Sequence, residues 1–388
     1  MSASDYFTSL ATALREAGRH RPTLVIDLDR LDANLDIVRA GMAPGVALRV
    51  VDKSLPSIPL LAHVMERLGT RRIMSFDLPV TQAVLQAFPD ADILFGKPMP
   101  TAALDVFLSA LTPAALADFA ARTVLLADDL ERVEQLAQLA AARKIRLRIA
   151  LEVDVGMHRG GLATPTAVME AAAAALQSGL LVIEGIMGYE AHIPAIPGFA
   201  GGAASEARAV KARLAAFADA LPPGCRKIIN SGGSKTVLTY ADPGAATELS
   251  VGSAFVKPTD FDTEALSSLR PAVFIATPAL KVVDAMLPGP SWMTAAFQRL
   301  GLFGERGCFL YGGYWMAKPV FPEGMRESRL WGHSSNQQFM SLPAASDLRE
   351  GDLVFFRPTQ SEAVLWQFGE IQLYSKGSII GGWPPIVP

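Results

Sequence analysis

Short apolar, β-branched runs alternate with helical patterns over the first two thirds of the chain, and this alternation constrains the fold more than any other feature. Nine runs read as strands: TLVIDL (23–28), VALRVV (46–51), RRIMSF (71–76), ADILFG (91–96), TVLLAD (123–128), IRLRIALEV (145–153), LVIEGIMG (181–188), RKIIN (226–230) and ATELSVG (246–252). Most are joined by stretches of helical length, such as PSIPLLAHVMERLG and DLERVEQLAQLAAARK. A strand followed by a helix returns the chain to its starting edge, so the next strand runs parallel, through a right-handed crossover. Eight such units make a (β/α)8 TIM barrel, an α/β fold, with one strand to spare. The alternation stops near Asp262. Beyond it, Pro/Gly-rich turns separate the runs AVFIAT, ALKVVDAM, GCFLYGG, DLVFFRP and GEIQLYS, which read as a mostly antiparallel β domain. The expected division is a barrel over 22–262 and a β domain over 263–388.

Composition narrows the partners. Half of the 388 residues are hydrophobic and 19% are charged, with a formal net charge of −3. That balance supports a large core and gives no electrostatic footprint for nucleic acid or an anionic membrane. The start of the chain lacks the basic-then-apolar pattern of a signal peptide, and no run approaches the roughly 20 apolar residues of a membrane span. Cys225 and Cys308 form no C-x-x-C pair. A reduced, cytoplasmic protein acting on a small molecule is the expectation.

In a barrel of this kind the active site lies at the C-terminal ends of the strands. After VALRVV comes Asp52-Lys53-Ser54. A lysine ending a buried apolar strand suits a Schiff-base amine, because desolvation favours the neutral form; taken alone, a rim lysine reaching for water is the plainer reading. After RIALEV comes Asp154-Val155-Gly156-Met157-His158-Arg159-Gly160-Gly161, where glycines permit close backbone approach and Arg159 offers a fork of donors. After VIEGIMG comes Tyr189, either a core aromatic or a phenol aimed at a ligand. After RKIIN comes Ser231-Gly232-Gly233-Ser234, and ATELSVG ends at Gly252-Ser253. If TLVIDL is the surplus strand, these two loops follow barrel strands seven and eight, where phosphate groups are commonly held. A lysine, an arginine, a tyrosine and a phosphate cup on one face fit pyridoxal 5′-phosphate. There is no P-loop lysine pattern and no G-x-G-x-x-G after a strand.

These segments resemble the fold-type III pyridoxal phosphate enzymes, and within them the D-threonine aldolase and D-serine dehydratase group of alanine racemase-like proteins. PTLVIDLDRLDANL is similar to that group's opening segment, and ALRVVDKS to its R-P-H-x-K. LEVDVGMHRGGL is similar to E-V-D-V-G-x-x-R-x-G, the most specific of the matches. GIMGYEAH, NSGGSKT and ELSVGSAF resemble G-L-x-A-Y-x-G, the glycine-rich phosphate loop and E-L-x-x-G-S-Y. The resemblance covers about residues 22–257. It implies a Schiff base on Lys53, cofactor contacts from Arg49 and Arg159, Tyr189 as partner of the pyridine nitrogen, and phosphate contacts from Ser231, Gly232, Gly233, Gly252 and Ser253. It also implies that residues 1–28 can pack with the β domain, which would account for the surplus strand, and that the chain forms a homodimer.

The departures bear on the reaction. The group holds a divalent metal through an E-H-G segment and an H-x-C or H-x-D pair. Here those places are taken by Ser335–Phe339 and by Gln360 and Glu362, with His333 offset by several residues. Without imidazole or thiolate they make no zinc site; an oxygen-only set including Glu362 would suit magnesium or manganese. Val51 replaces the group's histidine, and Asp52 stands where the group has a small residue. The leading expectation is a lyase, an aldolase or a dehydratase, acting on a β-hydroxy amino acid of D configuration. Gln338, Gln360 and Glu362 would hold the substrate hydroxyl. The alternatives are a racemase or epimerase, with Tyr311 or Tyr314 as second base, and a pyridoxal phosphate carrier without turnover.

Overall fold

The computed structural model describes residues 2–387. Eight parallel strands close a barrel: β2 (Ala47–Val51), β3 (Arg72–Ser75), β4 (Asp92–Phe95), β5 (Thr123–Ala127), β6 (Leu147–Val153), β7 (Leu181–Gly188), β8 (Ile228–Ser231) and β9 (Glu248–Val251). They fall within the runs read from the sequence, apart from Ser231 at the end of β8. Closure is made by β2 against β9, with Ala47 opposite Glu248 and Val50 opposite Val251. Strands covered on both faces need no polar alternation, which is why they stand out as unbroken apolar runs. The following helices begin where a side chain satisfies an orphan amide: Asp77 accepts from Val80 N, Asp129 from Arg132 N and Thr164 from Ala167 N.

The barrel interior carries a charged layer at the entry ends of its strands. Arg49 reaches across β3 to Asp92 on β4 at 2.9 Å, and Arg148 on β6 joins Asp92 to Glu184 on β7, each at 2.9 Å. Arg49 also pairs with Glu248 on β9 at 2.7 and 2.9 Å. Inward side chains from alternate strands meet in layers, and here one layer is ionic. Burial alone would push Asp92 upward, but Arg49 and Arg148 outweigh it and hold its carboxyl below the usual range.

The spare strand β1 (Thr23–Asp27) belongs to a nine-stranded sheet with β10 (Val273–Asp284), β11 (Arg306–Leu310), β12 (Ala317–Phe321), β13 (Arg326–Glu327), β14 (Phe339–Leu342), β15 (Leu353–Pro358), β16 (Ile371–Ser375) and β17 (Ser378–Trp383). It lies antiparallel to β10 and parallel to β16; the other pairs are antiparallel. AVFIAT and ALKVVDAM, read as two runs, form the single strand β10, bent where its register with β11 shifts between Ala279 and Lys281. Residues Ala3–Glu16 form a helix with a Ser2–Asp5 capping box. Its Tyr6, Phe7, Leu10 and Leu14 fall at helical spacing and bury against Phe274, Phe355 and Tyr374.

The chain divides into two compact units. Among the described residues, one holds 35–254, 263–268 and 386–387; the other holds 2–34, 255–262 and 269–385.

Candidate active site

Five neighbouring barrel strands bring six of the predicted residues together as one connected arc. At the end of β2, Lys53 and Ser54 lie in a 3-10 turn, Asp52–Ser54. The Lys53 Nζ stands 4.6 Å from the ring centroid of Phe76, just past β3. Phe76 fits there because residue 96 is glycine: a Cβ on Gly96 would meet its ring at 2.2 Å. Ser54 Oγ is 2.9 Å from Ser253 Oγ, which follows β9. Gly252 packs so closely that a Cβ would sit 2.8 Å from the Cβ atoms of Ser54 and Val51. Its N–H donates to Ser234 Oγ on the loop after β8. On that loop, a Cβ at Gly233 would press the Tyr189 ring at 3.1 Å. Tyr189 follows β7, and the Arg159 guanidinium from the loop after β6 lies 4.7 Å from its ring centroid. Lys53, Ser253, Gly252, Gly233, Tyr189 and Arg159 thus form one rim.

The glycine-rich loop is braced from beneath by a residue the sequence did not mark for a role. Glu190 is fully buried and accepts from Ser231 Oγ (3.2 Å), Gly232 N (3.1 Å) and Thr236 Oγ1 (2.7 Å). Burial pushes its carboxyl upward against these donors. Tyr240 lies 2.9 Å from Ser231 Oγ, and Gly233 N donates to Thr236 Oγ1. The donors expected to face a phosphate on Ser231, Gly232, Gly233 and Gly252 are therefore each within hydrogen-bond reach of a protein acceptor. The loop is held in shape by them. Ser54, Ser234 and Ser253 are the hydroxyls the rim gathers beside it. A buried carboxylate four chain elements away from its partners leaves no local pattern, so nothing in the sequence flags Glu190.

Arg49 is placed differently from the cofactor contact expected of it. It is fully buried, and all five of its N–H donors are engaged by Glu248, Asp92 and the carbonyls of Ile73 and Asp92. Its guanidinium belongs to the ionic layer inside the barrel. Arg159 sits on a loop ordered by Asp154, whose Oδ1 accepts from Gly156 N and His158 N and whose Oδ2 is 2.7 Å from His158 Nδ1. Burial raises Asp154, but these donors outweigh it and hold it below the usual range. Glu152 lines one small cavity with Arg159 and Tyr189, and burial pushes its carboxyl up.

Asp52 is the second residue that the sequence left without a role. It is 1% exposed and bonded to the Ser75 hydroxyl and the Lys53 N–H, while its Oδ2 has no hydrogen-bond partner. Burial pushes it up to about 7.

In the sheet unit, Gln338 is 2% exposed and its amide closes its own turn: Oε1 accepts from Ser334 N at 2.8 Å and Nε2 donates to the Phe339 carbonyl at 3.4 Å. Each of its amide atoms thus has one partner within its own turn. Gln360 Nε2 donates to Asp260 Oδ2 at 3.1 Å, and Ser361 Oγ donates to Glu362 at 3.0 Å. Tyr314 stacks on His333 with centroids 4.7 Å apart. Among the described residues no group of three His, Cys, Asp or Glu side chains is arranged to hold a metal ion, and no helix is long and apolar enough to cross a membrane.

The family model described as alanine racemase, N-terminal domain, matches residues 26–259. No sequence among curated proteins matches the chain. Solved structures do. A D-threonine aldolase from Filomicrobium marinum is 18% identical, with 94% of each chain covered and a TM-score of 0.74. The D-threo-3-hydroxyaspartate dehydratase from Delftia sp. HT23 is 19% identical over 95% of this chain and 97% of that one, with a TM-score of 0.72. An alanine racemase from Bacillus anthracis is 14% identical over 94% and 98%, with a TM-score of 0.67.

Proposed function

Because the chain belongs to the alanine racemase N-terminal domain family, we propose that it is a pyridoxal 5′-phosphate-dependent lyase, an aldolase or dehydratase, acting on a β-hydroxy amino acid of D configuration. The observation that carries this reading is the connected rim: an amine, a guanidinium, two aromatic faces and a cluster of hydroxyls and close-packed glycines at the ends of β2, β9, β8, β7 and β6. That donor set fits the cofactor. Lys53 would hold its aldehyde carbon, Arg159 and Tyr189 would flank its ring, and Ser54, Ser234 and Ser253 would take the phosphate. The bound cofactor supplies an electron sink for the pair left at Cα when a bond there breaks.

The protein's own part is binding and proton handling. Lys53 Nζ carries the proton to or from Cα. Tyr189 would face the ring nitrogen through its phenol, and a ring so partnered would be a weaker sink than a protonated pyridine. A second activator at the substrate's β-hydroxyl then matters more, and Gln338, Gln360 and Glu362 are the residues we assign to it. With no imidazole or thiolate among them, a hard cation held by oxygen is the metal chemistry Glu362 suits. The reading includes a cytoplasmic homodimer.

The test is one proton NMR time course of the cofactor-loaded protein with D-threonine in D2O, with and without a chelator. Glycine plus acetaldehyde identifies an aldolase, and 2-oxobutyrate a dehydratase. Activity that survives chelation assigns hydroxyl binding to the side chains alone. Loss of the α-proton signal without either product replaces this reading with a racemase. Full turnover by Lys53→Ala refutes it altogether.

A further inference from the structure

Immediately before the proposed reacting lysine in the chain stands a carboxyl that the mechanism above does not use. Asp52 precedes Lys53 in the same 3-10 turn and is 1% exposed. One side of the carboxyl receives the Lys53 N–H and the Ser75 hydroxyl. Ser75 Oγ in turn receives Thr81 Oγ1 at 2.7 Å. The other oxygen, Oδ2, is buried without a hydrogen-bond partner. A buried carboxylate with one oxygen unmatched is costly, and the cost falls when that oxygen carries a proton. A small apolar residue would fill the place without such a cost. The charged groups facing it are Lys53, on its own turn, and Asp77, which caps the helix Leu78–Ala87. Asp77 adds to the cost of a second negative charge, and Lys53 opposes it.

We propose that Asp52 is a positioning residue for Lys53, a buried acid that keeps its proton while the amine reacts and, once ionised, holds the amine in its cationic, unreactive form. This rests on the reading that Lys53 is the reacting amine. It adds a second proton store to the site, one bond network away from the nucleophile and linked to helix Leu78–Ala87 through Ser75 and Thr81.

The experiment uses the cofactor-free protein, so that it stands apart from the cofactor assignment. Wild type, Asp52→Asn and Ser75→Ala are labelled briefly with acetic anhydride from pH 5.5 to 9, and the fraction modified at Lys53 is read by peptide mass spectrometry. Asn keeps the shape and the acceptor for Ser75 but cannot ionise. The expected result is that Asp52→Asn labels like wild type at pH 5.5 and at least about threefold faster at pH 8.5, because a neighbouring negative charge favours the cationic form of an amine. Ser75→Ala removes a bond that favours the anion, so its divergence from Asp52→Asn should begin at higher pH than that of wild type. A merely structural Asp52 predicts a labelling ratio that does not change with pH. A constant ratio, or slower labelling of Asp52→Asn at high pH, overturns the proposal. Borohydride trapping of pyridoxal phosphate on Lys53 is the separate test of the reading beneath it. Trapping together with a constant ratio refutes the Asp52 role alone; failed trapping with a pH-dependent ratio refutes the cofactor assignment alone.

Discussion

Replacing Asp52 by asparagine should flatten the dependence of stability on pH. The carboxyl is fully buried and sits at about 7 against an ordinary 3.8. That is about three units, and at about 1.4 kcal/mol per unit the folded protein gains up to about 4 kcal/mol from holding this proton. The folded state binds the proton more tightly than the unfolded one. The contribution is therefore complete below pH 4, falls as pH rises, and is gone above about 7. Between pH 5 and 8 the wild type should lose about 2–3 kcal/mol through this group, and the asparagine variant should lose none of it. All other titrating groups are common to both proteins, so the difference isolates Asp52. The assay is urea unfolding at 25 °C followed by circular dichroism at pH 5, 6, 7 and 8. The variant should gain steadily on the wild type across this range. A difference that is constant with pH, or one that narrows, would falsify the reasoning, because it would mean that the Asp52 carboxyl is already ionised in the folded state at pH 5.

Other outcomes follow from the same geometry. Arg49→Met should cost about 3–5 kcal/mol in denaturant unfolding, because it leaves the buried Glu248 without its bidentate partner and takes one of two arginines from Asp92. Glu190→Ala strands the Ser231, Gly232 and Thr236 donors; a loss of about 2–4 kcal/mol and weaker cofactor uptake in an absorbance titration are expected. Gly252→Ala places a methyl 2.8 Å from Ser54 and Val51 and 2.9 Å from the Val51 carbonyl, which should cost about 1–3 kcal/mol and displace the β2 turn, read as lost trapping on Lys53. Gly233→Ala meets only the edge of the Tyr189 ring, so its melting point should hold while cofactor affinity drops.

The eight barrel strands were legible in the sequence because each is buried on both faces and so is written as an apolar run between helical patterns. Lys53, Arg159 and Tyr189 could be placed on one face for the same reason: each lies just beyond a strand end, and the strand ends of a barrel share a face. That Thr23–Asp27 leaves the barrel for the sheet was legible only through family resemblance, since all five of its residues are buried just as a barrel strand's are. Strands β12, β13, β14 and β17 went unread, being short, partly exposed or rich in glycine. The use of each polar group was not legible at all. Arg49 reads as a site arginine until Glu248, 199 residues away, is seen to hold it inside the barrel. The glycine-loop amides read as phosphate donors until Glu190, Thr236 and Ser234 are seen to accept from them. Asp52 reads as an ordinary acid until folding seals it from water with one oxygen unmatched. Apolar patterning repeats at the period of its own element, and so it is written locally. A hydrogen bond pairs two groups wherever the fold happens to bring them, and only the tertiary structure decides which donors are already spent.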